Sequence, residues 1–334
     1  MQRIGSTREI YSSVTKTEFL SLGDRRMLMG HVKTIAKKIE TNVQYIASTY
    51  RLFGPRMAVT AAFYRLTHKR IQDYYAKIVD ASYTQLIQGI PFNAEEIGHL
   101  GGENDGPIWV MWWQGIDEYT PPIVRACVDS IRRHANGRSV NIITRDSLDS
   151  FVIIDTNIMD NVRRGMISIT TLSDIVRFAL LYKYGGIWMD ATMYLTQDLD
   201  SSIAWYRFYS IPNHEVAPVR NWTGYFMGGM KGNPLFSVMY QAFVKLYSRT
   251  NHIPDYFMID IMLSAAYTHI PSVRQMIDAV PQNNIHRFYL ANHLNDGDIE
   301  LPEDTYAYKL TYKNLGKLVI QSGGAYNRIL DGRL

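Results

Sequence analysis

The apolar positions in the first hundred residues repeat at helical spacing. Apolar side chains fall three or four residues apart at Val32, Ile35, Ala36, Ile39, Val43, Ile46 and Tyr50. A second stretch with the same spacing runs from about residue 57 to residue 86. Because this repeat is typical of amphipathic helices, the pattern predicts a helical first part of the chain.

Prolines and clustered glycines interrupt the helical pattern between residues 91 and 107. These residue types favour turns and loops, so we predict a linker here. The linker divides the chain into a helical N-terminal subdomain, which with the linker covers residues 1–106, and a second domain over residues 107–334.

Short apolar runs alternate with helical stretches after residue 107. The runs predict strands at residues 108–113, 139–144, 187–189, 193–196, 208–211, 306–312 and 318–321. The helical stretches predict helices at residues 121–134, 234–247 and 256–267. Alternation of this kind indicates an α/β fold.

One stretch of the second domain combines a helix, a turn and a strand that ends in a carboxylate. Ser173 and Asp174 are residues that commonly begin a helix. Gly185-Gly186 predicts the end of that helix, because glycine adopts the left-handed conformation found there. The apolar strand Ile187-Trp188-Met189 follows, and Asp190 ends it. Open α/β sheets bind ligands at the carboxyl ends of their strands, so Asp190 is a candidate ligand-binding residue.

The net charge of +4 is concentrated in the front of the chain, where the first hundred residues hold 14 Lys/Arg and 8 Asp/Glu. The simpler interpretation is a solvated basic helix face. The alternative is a surface that contacts anionic lipid headgroups or a lipid-linked acceptor.

The sequence predicts a cytoplasmic protein. The single cysteine, Cys127, lies on a helical apolar pattern and is expected to be a core thiol. No apolar run reaches membrane-spanning length, and the N-terminus lacks the apolar core of a signal peptide.

Several familiar chemistries lack their motifs. The sequence contains no Walker-type phosphate loop, no Gly-x-Gly-x-x-Gly after a strand, no zinc pattern and no Gly-x-Ser-x-Gly elbow. The aromatic-rich last two thirds of the chain are slightly acidic, which argues against nucleic-acid binding.

The remaining polar and aromatic groups suit a nucleotide sugar. A base stacks on an aromatic face, which Trp112 or Trp113 could provide after the first strand. Hydroxyl groups need fixed carboxylates, and a departing diphosphate needs positive charge. Since neighbouring residues of a strand point to opposite faces, we expect one of the two tryptophans to be a core residue.

The motifs of this second domain resemble those of the capsular polysaccharide synthesis proteins, relatives of glycosyltransferase family 32. The specific part is Ser173-Asp174-x-x-Arg177 followed by Tyr184-Gly185-Gly186-Ile187-Trp188-Met189-Asp190-Ala191-Thr192. Residues 108–115 and 306–313 resemble the family's first strand and C-terminal motif. The resemblance implies a GT-A-type, Rossmann-like nucleotide-sugar-binding sheet flanked by helices, with residues 107–334 as the catalytic domain.

The resemblance also implies roles for individual residues. Trp112 or Trp113 would stack on the base, Asp174 and Arg177 would hold the sugar and diphosphate of the donor, and Asp190 would hold ribose and metal. The nucleotide-sugar-binding set is Trp112, Trp113, Gln114, Gly115, Ser173, Asp174, Arg177, Gly185, Gly186, Trp188, Thr192, Lys309 and Lys313. Asp190 and Asp260 are the candidate catalytic residues. An unpaired carboxylate would be costly in the apolar helix that holds Asp260, which favours a role in positioning the acceptor hydroxyl group; the alternative is a buried cap or a core aspartate with a partner.

The identity of Thr192 bears on the metal. Many relatives have Asp-x-Asp where this chain has Asp190-Ala191-Thr192, and a threonine hydroxyl is a poor ligand for Mn²⁺ or Mg²⁺. We expect a divalent metal at Asp190, which His286, His293 or Asp296 could help to bind. Lys309 or Lys313 could instead supply positive charge to the diphosphate.

The predicted function is transfer of a sugar from a nucleotide-diphosphate sugar, UDP-linked by preference, with retention at the anomeric carbon. The acceptor would be a glycan or a lipid-linked oligosaccharide in capsular or exopolysaccharide synthesis. Two alternatives stay open: a non-catalytic glycan-binding scaffold with a degenerate site, and a sugar-phosphate transferase or nucleotidyltransferase.

Overall fold

The computed structural model describes residues 22–101, 105–213, 221–313 and 323–334, with the backbone alone for residues 22–31 and Lys33. The strand predicted at residues 318–321 lies outside this part. The α-helices are α1 (Leu22–Phe53), α2 (Pro55–Thr67), α3 (Ile71–Ser82), α4 (Ala94–His99), α5 (Pro122–Arg133), α6 (Leu148–Phe151), α7 (Thr156–Arg163), α8 (Ile169–Tyr184), α9 (Pro234–Tyr247), α10 (Met258–His269), α11 (Pro271–Asp278), α12 (Tyr289–Asn292) and α13 (Ala325–Leu330).

The strands form two sheets. They are β1 (Ile108–Met111), β2 (Val140–Ile143), β3 (Gly186–Met189), β4 (Met193–Leu195), β5 (Phe208–Ser210), β6 (Phe226–Gly229) and β7 (Ala307–Lys309). A five-stranded sheet has the order β2-β1-β3-β6-β5, and β4 pairs with β7 in a separate two-stranded sheet.

The five-stranded sheet is mixed and flanked by helices, which confirms the predicted α/β fold of GT-A type. Strand β1 is parallel to both β2 and β3, whereas β6 is antiparallel to β3 and β5. The chain leaves β1 towards β2 on one side and returns as β3 on the other. A reversal of this kind opens a crevice at the carboxyl ends of β1 and β3.

The core of this sheet is apolar and aromatic. Trp109 on β1 and Trp188 on β3 are almost completely buried, and the Nε1 of Trp109 donates to the carbonyl oxygen of Gly185 at 3.0 Å. Burying a large apolar side chain stabilises a fold by about 1.5–3 kcal/mol. Helix α5 buries Ile123, Cys127 and Ile131, which confirms Cys127 as a core thiol.

Helix α8 leads into the central strand and begins earlier than predicted. The Oγ of Ser168 accepts a hydrogen bond from the amide of Thr171 at 3.1 Å and so caps the helix. The prediction that the helix begins at Ser173 is wrong, because Ser173 lies beyond the first turn and its hydroxyl donates to the carbonyl oxygen of Thr170 at 2.6 Å. The polar pair Thr170-Thr171 hides that turn from the apolar pattern.

Gly185 ends helix α8 as predicted, and close packing against β1 explains why the next residue, Gly186, is also a glycine. The φ of Gly185 is 69° and that of Gly186 is 91°, values that favour glycine. A Cβ on Gly186 would also collide with the carbonyl oxygen of Pro107 at the start of β1.

The N-terminal helices pack on the later part of the chain through a buried carboxylate. Asp255, just before α10, accepts from Arg65 of α2 and from the hydroxyl of Tyr74 of α3, both at 2.9 Å. The predicted linker is partly helical, because Asn93 caps the short helix α4 by accepting from the amide of Glu95 at 3.0 Å. No described helix is long and apolar enough to cross a membrane.

The sheet of β4 and β7 brings the C-terminal motif to the central strand. Met193 lies opposite Lys309 in this antiparallel pair, and the amide of Leu310 donates to the carbonyl oxygen of Thr192 at 2.9 Å. Residues 307–310 are thereby fixed beside Asp190 and Thr192.

Candidate functional site

Two pockets open at the carboxyl ends of β1 and β3. The first, which we call the indole pocket, has a volume of about 340 Å³ and is lined by Met111, Trp112, Trp113, Gln114, Ile169, Thr170, Ser173, Trp188, Asp190, Ala191, Thr192 and Tyr312. The second, the acidic pocket, has a volume of about 410 Å³ and contains Asp174, Arg177, Asp190 and Asp260. Thr170 and Asp190 line both, so the two pockets meet at the end of β3.

Both tryptophans after β1 face the indole pocket. The strand ends at Met111, so the alternation expected for a longer strand does not apply, and the prediction that one tryptophan is core is wrong. The ring of Tyr312 lies edge-on to Trp112, with ring centroids 5.4 Å apart. Aromatic rings therefore form one wall of this pocket.

The acidic pocket includes residues from widely separated parts of the chain. Helix α1 supplies Thr41, Gln44 and Tyr45, and the segment before α10 supplies Tyr256 and Phe257. The N-terminal part of the chain thus contributes directly to a pocket of the second domain.

Arg177 lies between two carboxylates at the base of the acidic pocket. Its Nη1 is 3.1 Å from Oδ1 of Asp174, and its Nη2 is 3.6 Å from Oδ1 of Asp190. The guanidinium carbon also lies 4.9 Å from the ring centroid of Trp188. Its Nε has no hydrogen-bond partner among the described residues, although the side chain is only 3% exposed. An unpaired buried donor of this kind is costly and can be satisfied by a bound anion or hydroxyl group.

Glycine at position 224 permits the position of this guanidinium. A Cβ on Gly224 would lie 2.9 Å from Nη1 of Arg177, closer than side chains normally pack. The glycine therefore makes room for the charged network.

The two carboxylates beside Arg177 have opposite pKa shifts. Burial raises the pKa of Asp174 to about 7; Arg177 opposes this shift, and the nearby charges of Asp190 and Asp260 add to it. Burial also acts to raise the pKa of Asp190, but Lys309 and Arg177 outweigh it and lower that pKa to about 2. Asp190 is therefore ionised at neutral pH, whereas Asp174 titrates there.

Lys309 holds the other side of Asp190. Its Nζ donates to Oδ2 of Asp190 at 2.7 Å and to Oγ1 of Thr192 at 2.8 Å. The Nε1 of Trp188 donates to the remaining oxygen, Oδ1, at 3.1 Å. Both oxygens of the Asp190 carboxylate are thus engaged by donors.

Asp260 lies in the acidic pocket as an anchored acceptor. Its Oδ1 accepts from Nε1 of the buried Trp222 at 3.2 Å. The carboxylate is fixed in place while its residue lines the pocket.

Some residues of the predicted set lie elsewhere. Gly185 and Gly186 are at the amino end of β3, opposite to Asp190, where they serve the turn and the packing described above. Gly115 follows the tryptophans in a turn in which its amide donates to the carbonyl oxygen of Trp112 at 2.9 Å. Neither Lys309 nor Lys313 lines either pocket; Lys313 is exposed, whereas Lys309 contacts the lining residues Asp190 and Thr192.

The described residues do not fit the divalent metal that the resemblance implies. In this part of the chain no group of three or more His, Cys, Asp or Glu side chains could hold a metal ion. His286 is paired with Asp304 at 2.9 Å, and the ring of His293 stacks on Tyr289. Between Asp190 and Thr192, the ammonium of Lys309 contacts the oxygens that a metal bridging the two side chains would need.

Three residues of this site are absent from the predicted site residues. Gly224 and Tyr225 precede β6, and the sequence pattern does not predict β6, because two of its four residues are glycines. The backbone amide of Asp190 donates a hydrogen bond to the carbonyl oxygen of Tyr225 at 2.9 Å. The ring centroid of Tyr225 lies 5.0 Å from Nζ of Lys309. The third, Tyr312, lies within residues 306–313, which resemble the family's C-terminal motif, and its aromatic ring is the signal that could have identified it.

Comparisons of the sequence with known proteins identify a family and a distant relative. A curated relative, the O-glycosyltransferase braB of Annulohypoxylon truncatum, is 24% identical over 196 residues, which cover 52% of this chain and 44% of that protein. The chain thus spans less than half the length of this relative. A family model described as capsular polysaccharide synthesis protein matches residues 59–320, which is most of the chain. The chain therefore belongs to the capsular polysaccharide synthesis protein family.

Proposed function

We propose that this protein transfers a sugar from a nucleoside diphosphate sugar, UDP-linked by preference, to a glycan or lipid-linked acceptor in capsular or exopolysaccharide synthesis. The observation that carries the proposal is the junction of two pockets at Asp190, one aromatic and one acidic. The family and the relative named an O-glycosyltransferase support the same class of reaction.

The donor would occupy the indole pocket and reach the acidic pocket with its sugar. The base stacks on Trp112 or Trp113, an interaction worth about 1–3 kcal/mol for each base. The diphosphate then lies near Lys309 and Arg177, whose positive charges stabilise it as it departs. The sugar hydroxyls meet Asp174 at the junction of the pockets.

The acceptor would enter the acidic pocket beside helix α1. Tyr45, Tyr256 and Phe257 offer aromatic surfaces, and Asp260 is anchored by Trp222 as an acceptor for a sugar hydroxyl. In this arrangement Asp260 orients the attacking hydroxyl group towards the anomeric carbon.

The reaction we propose retains the configuration of the anomeric carbon. The bond between that carbon and the diphosphate oxygen breaks, and the acceptor oxygen attacks from the same face. Its proton passes to the departing diphosphate, so no protein nucleophile is needed. The pocket residues bind, orient and neutralise charge.

Donor binding and donor cleavage separate this function from its alternatives. We expect one UDP- or GDP-sugar of a panel to raise the melting temperature of the full chain, since a ligand that binds the folded state stabilises it. Incubation with that sugar and an acceptor mixture should release nucleotide. A non-catalytic scaffold would release none, and a sugar-phosphate transferase would give a phosphate-bearing product by mass spectrometry.

The matched variant for this experiment is Asp190→Asn, which keeps the side-chain shape but removes the charge that pairs with Lys309 and Arg177. We expect nucleotide release to fall by about 100-fold or more, as when charge stabilisation at a reacting centre is lost. Asp146→Asn, an exposed position, should release nucleotide at the wild-type rate. Near-normal turnover by Asp190→Asn would contradict the assignment of the site.

We further propose that helix α1 contacts an anionic membrane surface that carries the acceptor. Val32, Ile35, Ile39 and Val43 form an apolar stripe in which each residue is more than half exposed, and the exposed Lys37 and Lys38 flank it. Such a face suits a lipid interface. The double variant Ile35→Ser/Ile39→Ser should sediment less than wild-type protein with vesicles of anionic lipid. The control Ile153→Ser, at an exposed isoleucine, should sediment as wild-type protein does. Equal sedimentation of the wild type, the double variant and the control would contradict the proposal.

A further inference from the structure

We propose that the ammonium of Lys309 serves as the built-in cation of the donor site, so that the nucleoside diphosphate binds without a divalent metal. This inference rests on the proposed function, because it concerns how the same site holds a diphosphate. In this proposal Lys309 carries the positive charge that the sequence leads us to expect from a metal ion at Asp190.

The backbone fixes Lys309 at this position. Lys309 lies opposite Met193 in the ladder of β4 and β7, and its neighbour Leu310 donates to the carbonyl oxygen of Thr192 at 2.9 Å. The amide of Lys309 donates in turn to the carbonyl oxygen of Arg287 at 2.7 Å. The side chain therefore leaves a strand that is held on both sides, and only 21% of it is exposed.

The ammonium group keeps one donor for a ligand. It has three N–H groups: one contacts Asp190 at 2.7 Å and another contacts Thr192 at 2.8 Å. The described residues provide no further hydrogen-bond acceptor for the third. Lys309 itself lines neither pocket, but its partner Asp190 lies where the two pockets meet, and 21% of the Lys309 side chain is exposed. We infer that the third donor reaches a phosphate oxygen bound beside Asp190.

Thr192 suits an ammonium group better than a metal. Its neutral hydroxyl accepts a hydrogen bond from Lys309, whereas a hard divalent cation prefers charged oxygen ligands. The ring of Tyr225, with its centroid 5.0 Å from Nζ, adds a cation–π contact of the kind that favours organic cations.

The charges of the site also match a metal-free diphosphate. Lys309 and Arg177 lie on the two sides of Asp190, with nitrogen–oxygen distances of 2.7 and 3.6 Å. Together they bring the same positive charge as one divalent ion. The Nε of Arg177 also has no hydrogen-bond partner among the described residues.

Calorimetric titration of UDP and of GDP into the full chain tests the inference directly, because it measures binding without turnover. We expect wild-type protein to bind one of them with the same affinity, within about threefold, in EDTA and in Mn²⁺. Lys309→Met should weaken that binding about 10- to 100-fold, as the loss of a charge-assisted hydrogen bond does, and Mn²⁺ should not restore it.

Two matched variants control for charge and folding. Lys309→Arg keeps the positive charge and should bind within about tenfold of wild type in EDTA. Lys231→Met makes the same substitution at an exposed turn after β6 and should bind as wild type does. Melting temperatures confirm that each variant is folded, and the comparison of wild-type protein in EDTA and Mn²⁺ needs no variant.

The outcomes separate this inference from the function on which it rests. Binding by wild-type protein in Mn²⁺ but not in EDTA would overturn the role of Lys309 and leave the glycosyltransferase proposal standing. Wild-type affinity of a folded Lys309→Met protein would overturn it as well. If neither nucleotide binds under either condition, the nucleotide-sugar function fails and this inference fails with it.

Discussion

Nη1 of Arg177 lies 3.1 Å from Oδ1 of Asp174, and this pair, three residues apart on helix α8, faces a pocket instead of solvent. The spacing alone equally describes a surface ion pair. The difference is the burial of Arg177, which joins Asp174 to Asp190 and makes the pair part of the candidate site.

Removing the guanidinium should destabilise the protein strongly. Arg177→Met removes a buried guanidinium from between the partly buried carboxylates of Asp174 and Asp190, and breaking a buried pair costs about 3–5 kcal/mol. Denaturant unfolding measures this cost. The control is Arg163→Met, which breaks an ion pair with Asp160 at the same spacing on exposed side chains and should cost less than about 1 kcal/mol. If both substitutions lowered the free energy of unfolding equally, the contacts of Arg177 with Asp174 and Asp190 would not behave as buried ion pairs.

Asp174 should make stability depend on pH. Its pKa of about 7 in the folded protein lies above the ordinary value of 3.8, so the folded state binds the proton more tightly. The stabilisation from this proton is complete below about pH 4 and is lost as the pH rises through 7. Asp174→Asn should therefore raise the melting temperature more at pH 8 than at pH 5.

The control for this pH dependence is Asp146→Asn, at an exposed position. Its melting temperature should differ from that of wild type by the same small amount at both pH values. If the melting temperatures of Asp174→Asn and wild-type protein differ by the same amount at pH 5 and pH 8, the carboxyl group of Asp174 does not titrate near neutral pH.

A methyl group at position 224 should disturb the guanidinium. The Cβ of Gly224→Ala would lie 2.9 Å from Nη1 of Arg177, and overpacking of this kind costs about 1–3 kcal/mol. We expect nucleotide release from the donor sugar to fall about tenfold or more. Gly297→Ala, where a Cβ meets nothing within 4 Å, should leave the rate unchanged; equal rates for both variants would remove Gly224 from the site.

The tryptophans after β1 should contribute to nucleotide affinity through stacking. Loss of one stacked ring costs about 1–3 kcal/mol, so either Trp112→Ala or Trp113→Ala should raise the Kd for UDP about 5- to 150-fold in calorimetry. Trp205→Ala, at a ring that is 65% exposed, should not change it. Unchanged affinity in both pocket variants would place the base elsewhere.

The features that sequence analysis predicts well are those with a local pattern. Helix α9 begins and ends where predicted, and strand β3 with Asp190 at its end follows directly from a glycine pair and an apolar run. In each case neighbouring residues carry the information. The prediction for the start of α8 is wrong for the same reason, because the polar pair Thr170-Thr171 interrupts the apolar pattern of its first turn and its cap, Ser168, lies outside the motif.

The contacts that sequence analysis could not predict are those between distant segments. Lys309 and Asp190 are 119 positions apart, and nothing local says that the β4–β7 ladder brings them together. Strand β6, with two glycines, lacks the side chains that make a strand recognisable, yet it positions Gly224 and Tyr225. These parts of the site depend on tertiary packing, which no single segment encodes.

The late position of β7 in the chain has a consequence for protein synthesis. The charge opposite Asp190 arrives only when residues 307–309 pair with residues 193–195. Domains fold from their N-terminal side as the ribosome releases them, so β1, β2 and β3 can form while Asp190 and Thr192 still lack Lys309. A chain stalled before residue 307 would have β1, β2 and β3 but no Lys309 beside Asp190, and under the function proposed above we expect it not to cleave nucleotide sugars.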